Sequence, residues 1–124
     1  MKIYEDENFF IEIEKSEIPW LKIFTQHPYK ELSDLPKELR LKLFELYDIV
    51  ELEMLSYFKP HKINMASFAN MLPRVHLHVM ARYQEDSHFP NPIWGEKQRE
   101  SELDLPSFEL FYKQLQEKLE GFHS

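Results

Sequence analysis

A chain of 124 residues fits one domain, and with 43% hydrophobic and 15% aromatic residues it is too apolar for a disordered polymer and rich enough to bury a core. Acidic residues outnumber basic ones 22 to 15, a net charge of −7 that disfavours a nucleic-acid polymer but not a small phosphate compound, which senses the local field of its site. Cysteine is absent, which excludes disulfides and thiolate metal ligands and fits a reducing cytoplasm.

No apolar run is long enough to span a membrane, and Met1-Lys2-Ile3-Tyr4-Glu5 lacks a signal-peptide pattern, so a cytoplasmic location is expected. Lys2 to Glu5 reads as a short strand, and Asp6-Glu7-Asn8 as a turn. Phe9 to Glu14 is a second strand, and Trp20 to Thr25 a third after the turn at Lys15-Ser16-Glu17 and Ile18-Pro19. Together they form an antiparallel meander. His27 precedes Pro28, which biases it away from helix, and carries no assigned chemistry.

Ser33-Asp34-Leu35-Pro36 is a helix start, with a capping residue and then proline in the first turn. Leu39, Leu43, Leu46, Val50 and Met54 follow at helical spacing, and the helix is expected to run to about Tyr57, ahead of Pro60. This is a core helix packed on a sheet. Phe44, Tyr47, Leu52 and Leu55 add apolar surface beyond one stripe, which suits a dimer face. Lys62 to Ala66 is a fourth strand, joined by residues 67–73 to a fifth. Gln84 to Gly95, with Pro90, Pro92 and Gly95, is a loop, ordered by Phe89, Ile93 and Trp94. Asp104-Leu105-Pro106 repeats the helix-start pattern, and Phe108, Phe111, Leu115 and Leu119 mark a C-terminal helix ending near Gly121. The predicted fold class is α+β in one domain over 1–124: about five antiparallel strands, one long helix packed on them, and a C-terminal helix.

The fifth strand carries the chemistry. In Arg74-Val75-His76-Leu77-His78-Val79-Met80-Ala81-Arg82-Tyr83, alternation sends Val75, Leu77, Val79 and Ala81 into the core. Arg74, His76, His78, Met80 and Arg82 then share the opposite face, about 7 Å between alternate positions. Cationic donors in a row on an open strand suit an anion, and a phosphate best. Only Gly95 and Gly121 are glycine, so no glycine-rich phosphate loop can serve instead. On the motif alone three readings stand: a structural pair, a metal pair, or a nucleophile with its helper. A metal site needs a third ligand, and His61, His88 and Glu85, the nearby candidates, sit at no diagnostic spacing.

The segment from Lys62-Ile63-Asn64 through Asn70 and Pro73 to Tyr83, with Pro92-Ile93-Trp94-Gly95, resembles the histidine triad (HIT) family. That family's signature is His-x-His-x-His followed by two apolar residues. His76 and His78 match its second and third histidines, Val79-Met80 its apolar pair, and Arg74 stands at the first. The flanking words, and Pro19-Trp20, look like a small bacterial branch of the family.

The resemblance implies nucleotidyl hydrolase or transferase chemistry on a small nucleotide of the purine nucleoside monophosphate type, held in a phosphoramidate, ester or dinucleoside polyphosphate. It makes His76 the nucleophile and His78 its helper, and puts Asn64, Asn70 and Arg74 near phosphate and Glu14 near the ribose. It implies no cofactor and a homodimer. Arg74 is the departure: arginine stays protonated, with a pKa above about 12, and cannot serve as a base near neutral pH. It fits a bidentate phosphate clamp or a structural carboxylate partner. The alternatives are a degenerate fold that binds nucleotide only and a His-x-His metal-binding protein. The position where the family often has a further histidine holds Trp20.

Overall fold

The computed structural model describes residues 1–124. Its strands are β1 (Lys2–Glu5), β2 (Phe9–Ile13), β3 (Trp20–Thr25), β4 (Lys62–Ala66) and β5 (His76–Arg82), and its helices α1 (Lys37–Phe58) and α2 (Phe108–Leu119). The five strands form one antiparallel sheet in the order β1-β2-β3-β5-β4. The fold is the expected α+β arrangement.

Each strand turns one row of apolar residues to α1. Ile11, Leu21, Ile23, Leu77, Val79 and Ala81 are almost fully buried, as are Leu43, Leu46, Val50 and Met54 on the facing stripe of the helix. Burying one such aliphatic side chain contributes about 1.5–3 kcal/mol, which fixes the register, because a one-residue slip would move the whole row to the other face. The second helix closes the β1 side with Phe111, Leu115 and Leu119, and Gln116 Nε2 donates to the Ile3 carbonyl at 2.7 Å. No helix is long and apolar enough to cross a membrane.

Element ends depart from expectation in three places. Ser33 and Asp34 do not cap α1: they lie in a 3-10 turn over Leu32–Asp34, where Glu31 and Asp34 form a reciprocal capping box, and Pro36 occupies the N-cap of α1. Glu14 lies one residue past the end of β2. The fifth strand begins at His76 rather than Arg74, because the N–H of Arg74 goes to the Leu72 carbonyl and that of Val75 to Tyr29, both at 2.7 Å and both outside the ladder.

Both helices lie away from the opposite sheet face, so loops cover that face. The 84–95 segment folds back over the C-terminal half of β5 and buries Met80 and Arg82, each 2% exposed. The open cationic row expected from alternation is therefore sealed at that end. Arg82 shares the histidine face, but its Nε and Nη2 donate to the carboxylate of Asp86 at 2.9 and 3.0 Å, Nη1 to Asn64 Oδ1 at 3.0 Å, and Nη2 also to the Asn91 carbonyl at 2.7 Å. Asp86, fully buried, also accepts from the backbone N–H groups of Tyr83, His88 and Phe89.

Candidate active site

The pairing of β3 with β5 builds the site. Register sets Lys22 opposite His78 and Phe24 opposite His76, with Trp20 one step along opposite Met80. All six share the loop-covered face. His76 stacks on Phe24 at 4.7 Å, and Phe24 on Phe10 of β2 at 4.7 Å, so three rings form a ladder across three strands.

Four groups then form a chain of hydrogen bonds with one direction. Trp20 Nε1 donates to His78 Nδ1 at 3.0 Å. The two Nε2 atoms of His78 and His76 are 3.1 Å apart, and His76 Nδ1 lies 3.2 Å from the Arg74 carbonyl oxygen. An indole N–H can only donate and a carbonyl can only accept, so both ends of the chain are fixed. For neutral imidazoles the assignment follows: His78 carries its hydrogen on Nε2 and donates to His76 Nε2, and His76 carries its hydrogen on Nδ1 and donates to the carbonyl. His76 Nε2 is the unprotonated nitrogen.

The electrostatics favour neutral rings. Burial lowers the pKa of His76 and outweighs the raising effect of the hydrogen bond to the Arg74 carbonyl, while the nearby charges of Lys22 and Arg74 add smaller lowering effects. Burial also pulls His78 down to about 4, helped by His76 and Lys22. Both rings are therefore neutral near pH 7, the state a nitrogen nucleophile requires.

An open cavity of about 360 Å³ lies over the pair, lined by Phe68, Ala69, Asn70, Met71, Leu72 and the two histidines. Such a volume suits a small molecule. Trp94 lies in the neighbouring groove and packs edge-on against His78 at 4.9 Å, Trp20 at 5.2 Å and Phe68 at 4.6 Å.

The residues singled out from sequence are distributed unevenly around this cavity. Asn70 lines it with the imidazoles. Asn64 does not: it lines the neighbouring groove with Met80 and Trp94, and its Oδ1 is held by Arg82. The guanidinium of Arg74 lies 5.5 Å over Phe24 and 5.6 Å over Phe10 and donates Nη2 to the Thr25 carbonyl, while its Nε has no partner. Glu14 is ion-paired with Lys22 at 3.0 Å and lines a separate cavity beside α2. No third His, Asp or Glu joins His76 and His78 in a metal-binding cluster. His61 packs on Phe89, His88 Nδ1 contacts Ser87 Oγ at 2.7 Å, and Glu85 is exposed.

Trp20 and Lys22 were not marked as site residues by their sequence. The signal was present, since alternation in Trp20-Leu21-Lys22-Ile23-Phe24 puts Trp20, Lys22 and Phe24 on one face. What was lacking was the partner strand: β3 pairs with β5, not with β4, and only that register brings the face onto the histidines.

Comparison with known proteins agrees with this architecture. The HIT domain family model matches residues 1–85. A search of curated proteins gives no match. Among solved structures, a histidine triad protein from Marinobacter aquaeolei VT8 is 26% identical, with a TM-score of 0.74 over 98% of this chain and 87% of that one. A histidine triad protein from Bradyrhizobium japonicum is 24% identical, with a TM-score of 0.78 over 95% and 89% of the two chains. One from Sinorhizobium meliloti 1021 is 22% identical, with a TM-score of 0.74 over 99% and 89%. With the family match over most of the sequence, the same fold, and His76 and His78 paired beneath the cavity, the chain belongs to the histidine triad (HIT) family of nucleotide-binding proteins.

Proposed function

We propose that the chain is a nucleotidyl hydrolase or transferase that cleaves a purine nucleoside monophosphate from a phosphoramidate, an ester or a dinucleoside polyphosphate. The observation that carries this reading is the unprotonated Nε2 of His76, held as the acceptor of a directional hydrogen-bond chain beneath an open cavity. In the first step the Nε2 lone pair attacks the α-phosphorus. A P–N bond forms, the bond from phosphorus to the leaving atom breaks, and the leaving group takes the electron pair. His76 becomes a phosphorylated imidazolium, its positive charge stabilised by the Arg74 carbonyl that accepts from Nδ1. The Nε2–H of His78, released from His76, turns to hydrogen-bond the leaving atom, whose proton comes from solvent. Water then attacks phosphorus, the N–P bond breaks with its electrons returning to His76, the proton lost by water passes to solvent, and the Nε2–H of His78 returns to His76. With an alcohol or amine in place of water the same step is a transfer.

The remaining positions complete the proposal. Asn70 contacts phosphate or leaving group from the lip of the cavity, and an amide does so without adding charge. Arg74, whose guanidinium lies over Phe24 beside the pair, supplies a positive charge to the phosphate. Asn64 acts from the adjoining groove, and Glu14, through its pair with Lys22, faces the ribose side. The chain acts as a homodimer, for which the outward stripe Leu41, Phe44, Leu52 and Leu55 of α1 and the free edge of β4 provide surface. Sedimentation at micromolar concentration then shows a particle of about twice the chain mass. A monomer only would remove the dimer from this reading.

The test is direct. Wild-type protein is mixed with a fluorogenic adenosine phosphoramidate, quenched in a burst, and analysed by mass spectrometry for adenylate on His76. Turnover with the adduct on His76 is the expected result. A second reading, a protein that binds nucleotide without turning it over, is favoured by one observation: the guanidinium of Arg74 is engaged by the Thr25 carbonyl where the family has its first histidine. Tight binding of adenosine monophosphate with neither turnover nor adduct would establish it.

A further inference from the structure

We infer that Trp20 is a positioning residue that sets where the proton sits on the histidine pair, an inference that rests on His76 being the nucleophile. The indole Nε1–H points at His78 Nδ1 at 3.0 Å and has no acceptor capacity. With His78 in its other tautomer, hydrogens on Trp20 and on Nδ1 would face each other. His78 Nε2 would then be a lone pair, and His76 would have to carry its hydrogen on Nε2. That would turn the lone pair of His76 Nδ1 toward the Arg74 carbonyl oxygen at 3.2 Å. The wrong tautomer loses a hydrogen bond at each end of the chain, so Trp20 at one end and the carbonyl at the other select the same state. Trp20 does not itself line the cavity and, on this reading, does not touch the substrate. It acts through His78.

The same contact resists protonation of His78. An imidazolium needs a hydrogen on Nδ1, where the indole hydrogen already points. The charged groups felt by the pair are Lys22 from β3, Glu12 on β2, Glu14 just beyond it and Arg74 ahead of β5, while Trp94 and Phe68 add none from the loops. Lys22 and Arg74 oppose a second proton and the two glutamates favour one. The Trp20 hydrogen bond adds a directional bias at Nδ1 that these more distant charges do not supply.

This separates Trp20 from a tryptophan that only packs. Its edge-on contacts with His78 at 5.7 Å and Trp94 at 5.2 Å need a ring, which phenylalanine retains, but the selection needs the N–H. Two measurements on the full chain decide it. In 15N-labelled wild type, scalar coupling across the hydrogen bond between Trp20 Nε1 and His78 Nδ1 is expected, with His78 protonated on Nε2 and His76 on Nδ1 in the nitrogen shifts. Absence of that coupling, or His78 protonated on Nδ1, overturns the inference without any variant. In Trp20→Phe, the nitrogen shifts of His78 move toward a mixture of tautomers and its titration moves to higher pH. The acid limb of kcat follows it, and kcat falls about tenfold, the equivalent of one hydrogen bond, while KM stays within about twofold. Trp20→His, which restores a ring N–H, recovers part of the rate. Unchanged nitrogen shifts and pH profile in folded Trp20→Phe reduce Trp20 to packing. The nitrogen readout needs no turnover, so an inactive wild type would sink the proposed reaction and still leave Trp20 decided by its own measurement.

Discussion

At its C-terminal end β5 presents Arg82 to the loop-covered face of the sheet, and near its N-terminal end it presents His76 and His78 to the same face. At the first end a charge is buried at 2% exposure and fully answered: a bidentate carboxylate from Asp86, the amide oxygen of Asn64 and the Asn91 carbonyl. At the second end the polar atoms are answered just as completely, but by neutral groups, and one bond of the chain joins two side chains that a ligand can part. The first arrangement is electrostatically closed, because removing either partner strands a charge in a low-dielectric interior. The second holds one mobile hydrogen between two nitrogens beneath a cavity. A strand face of alternating basic residues thus becomes a structural lock or a reactive site according to what the loop above it supplies.

The largest expected effect falls at the reactive end. His76→Ala lowers turnover of an adenosine phosphoramidate by about 10⁴-fold or more, because the covalent route runs through that nitrogen. Isothermal titration with adenosine monophosphate still shows binding, which draws on many contacts. Turnover surviving in His76→Ala would place the chemistry elsewhere and erase the contrast between the two ends.

At the locked end the cost is stability. Arg82→Ala leaves Asp86 buried without its cation and is expected to destabilise the fold by about 3–5 kcal/mol in urea titrations. Replacing both by hydrophobic residues of similar size recovers much of that loss, since the desolvation of both ions disappears with them. A single mutant as stable as the wild type would mean that the 84–95 loop is held by other contacts, among them Glu17 with Ser87 and Arg99 with the Asp86 and Phe89 carbonyls.

Acid separates the two ends on one titration. Histidine 78 has its folded pKa depressed from 6.5 to about 4, so as pH falls the unfolded chain takes up a proton that the folded chain refuses. Stability is therefore lost between pH 6.5 and about 4, by about 3 kcal/mol at most, and the depressed pKa of His76 adds in the same direction. Asp86 behaves oppositely in range: Arg82 and backbone N–H groups hold its pKa below the ordinary carboxylate value against the effect of burial. Its contribution is present above about pH 4 and fades as pH falls through its folded pKa. Urea midpoints against pH in wild type and His78→Asn check this. A wild-type curve flat from pH 6.5 to 4 would show that the imidazoles are not neutral and buried as described.

Much of this was legible in sequence, and the reason is periodicity. Val75, Leu77, Val79 and Ala81 announce the core face of β5, and Leu43, Leu46, Val50 and Met54 the stripe of α1 that meets it. The reactive pair was legible because its two histidines take successive places in the opposite row of that alternation. The lock was not: Arg82 looked like another member of an open cationic row, because pairing with Asp86 depends on how the 84–95 loop turns back, and alternation is silent about loops. Trp20 was missed for a topological reason. Its partner lies 58 residues away on a strand that pairs with β3 only after β4 takes the edge.

The smallest predicted effect concerns Arg74, which stands between the two behaviours. Its guanidinium lies on the Phe24 and Phe10 rings and donates to the Thr25 carbonyl, as a structural arginine would, yet its Nε–H is unpartnered and its own carbonyl orients His76. The backbone role survives any substitution, so Arg74→Ala leaves the His76 tautomer in place. What it removes is a cation. If Arg74 contacts phosphate, monophosphate binding weakens by about 1.5–3 kcal/mol, the scale of a charged hydrogen bond. If it serves only the ring ladder, binding holds and the loss appears in the urea midpoint, at about 1 kcal/mol for a partly exposed cation–π contact. Arg74→His sharpens the choice, because it supplies the family's first histidine at the cost of the guanidinium. A faster Arg74→His variant would mark the arginine as a brake on an otherwise complete site. A slower one with weaker binding would mark it as part of the phosphate contact. Titration and turnover of the two variants side by side distinguish these outcomes, and they decide whether the reactive end of β5 uses its remaining charge or only rests on it.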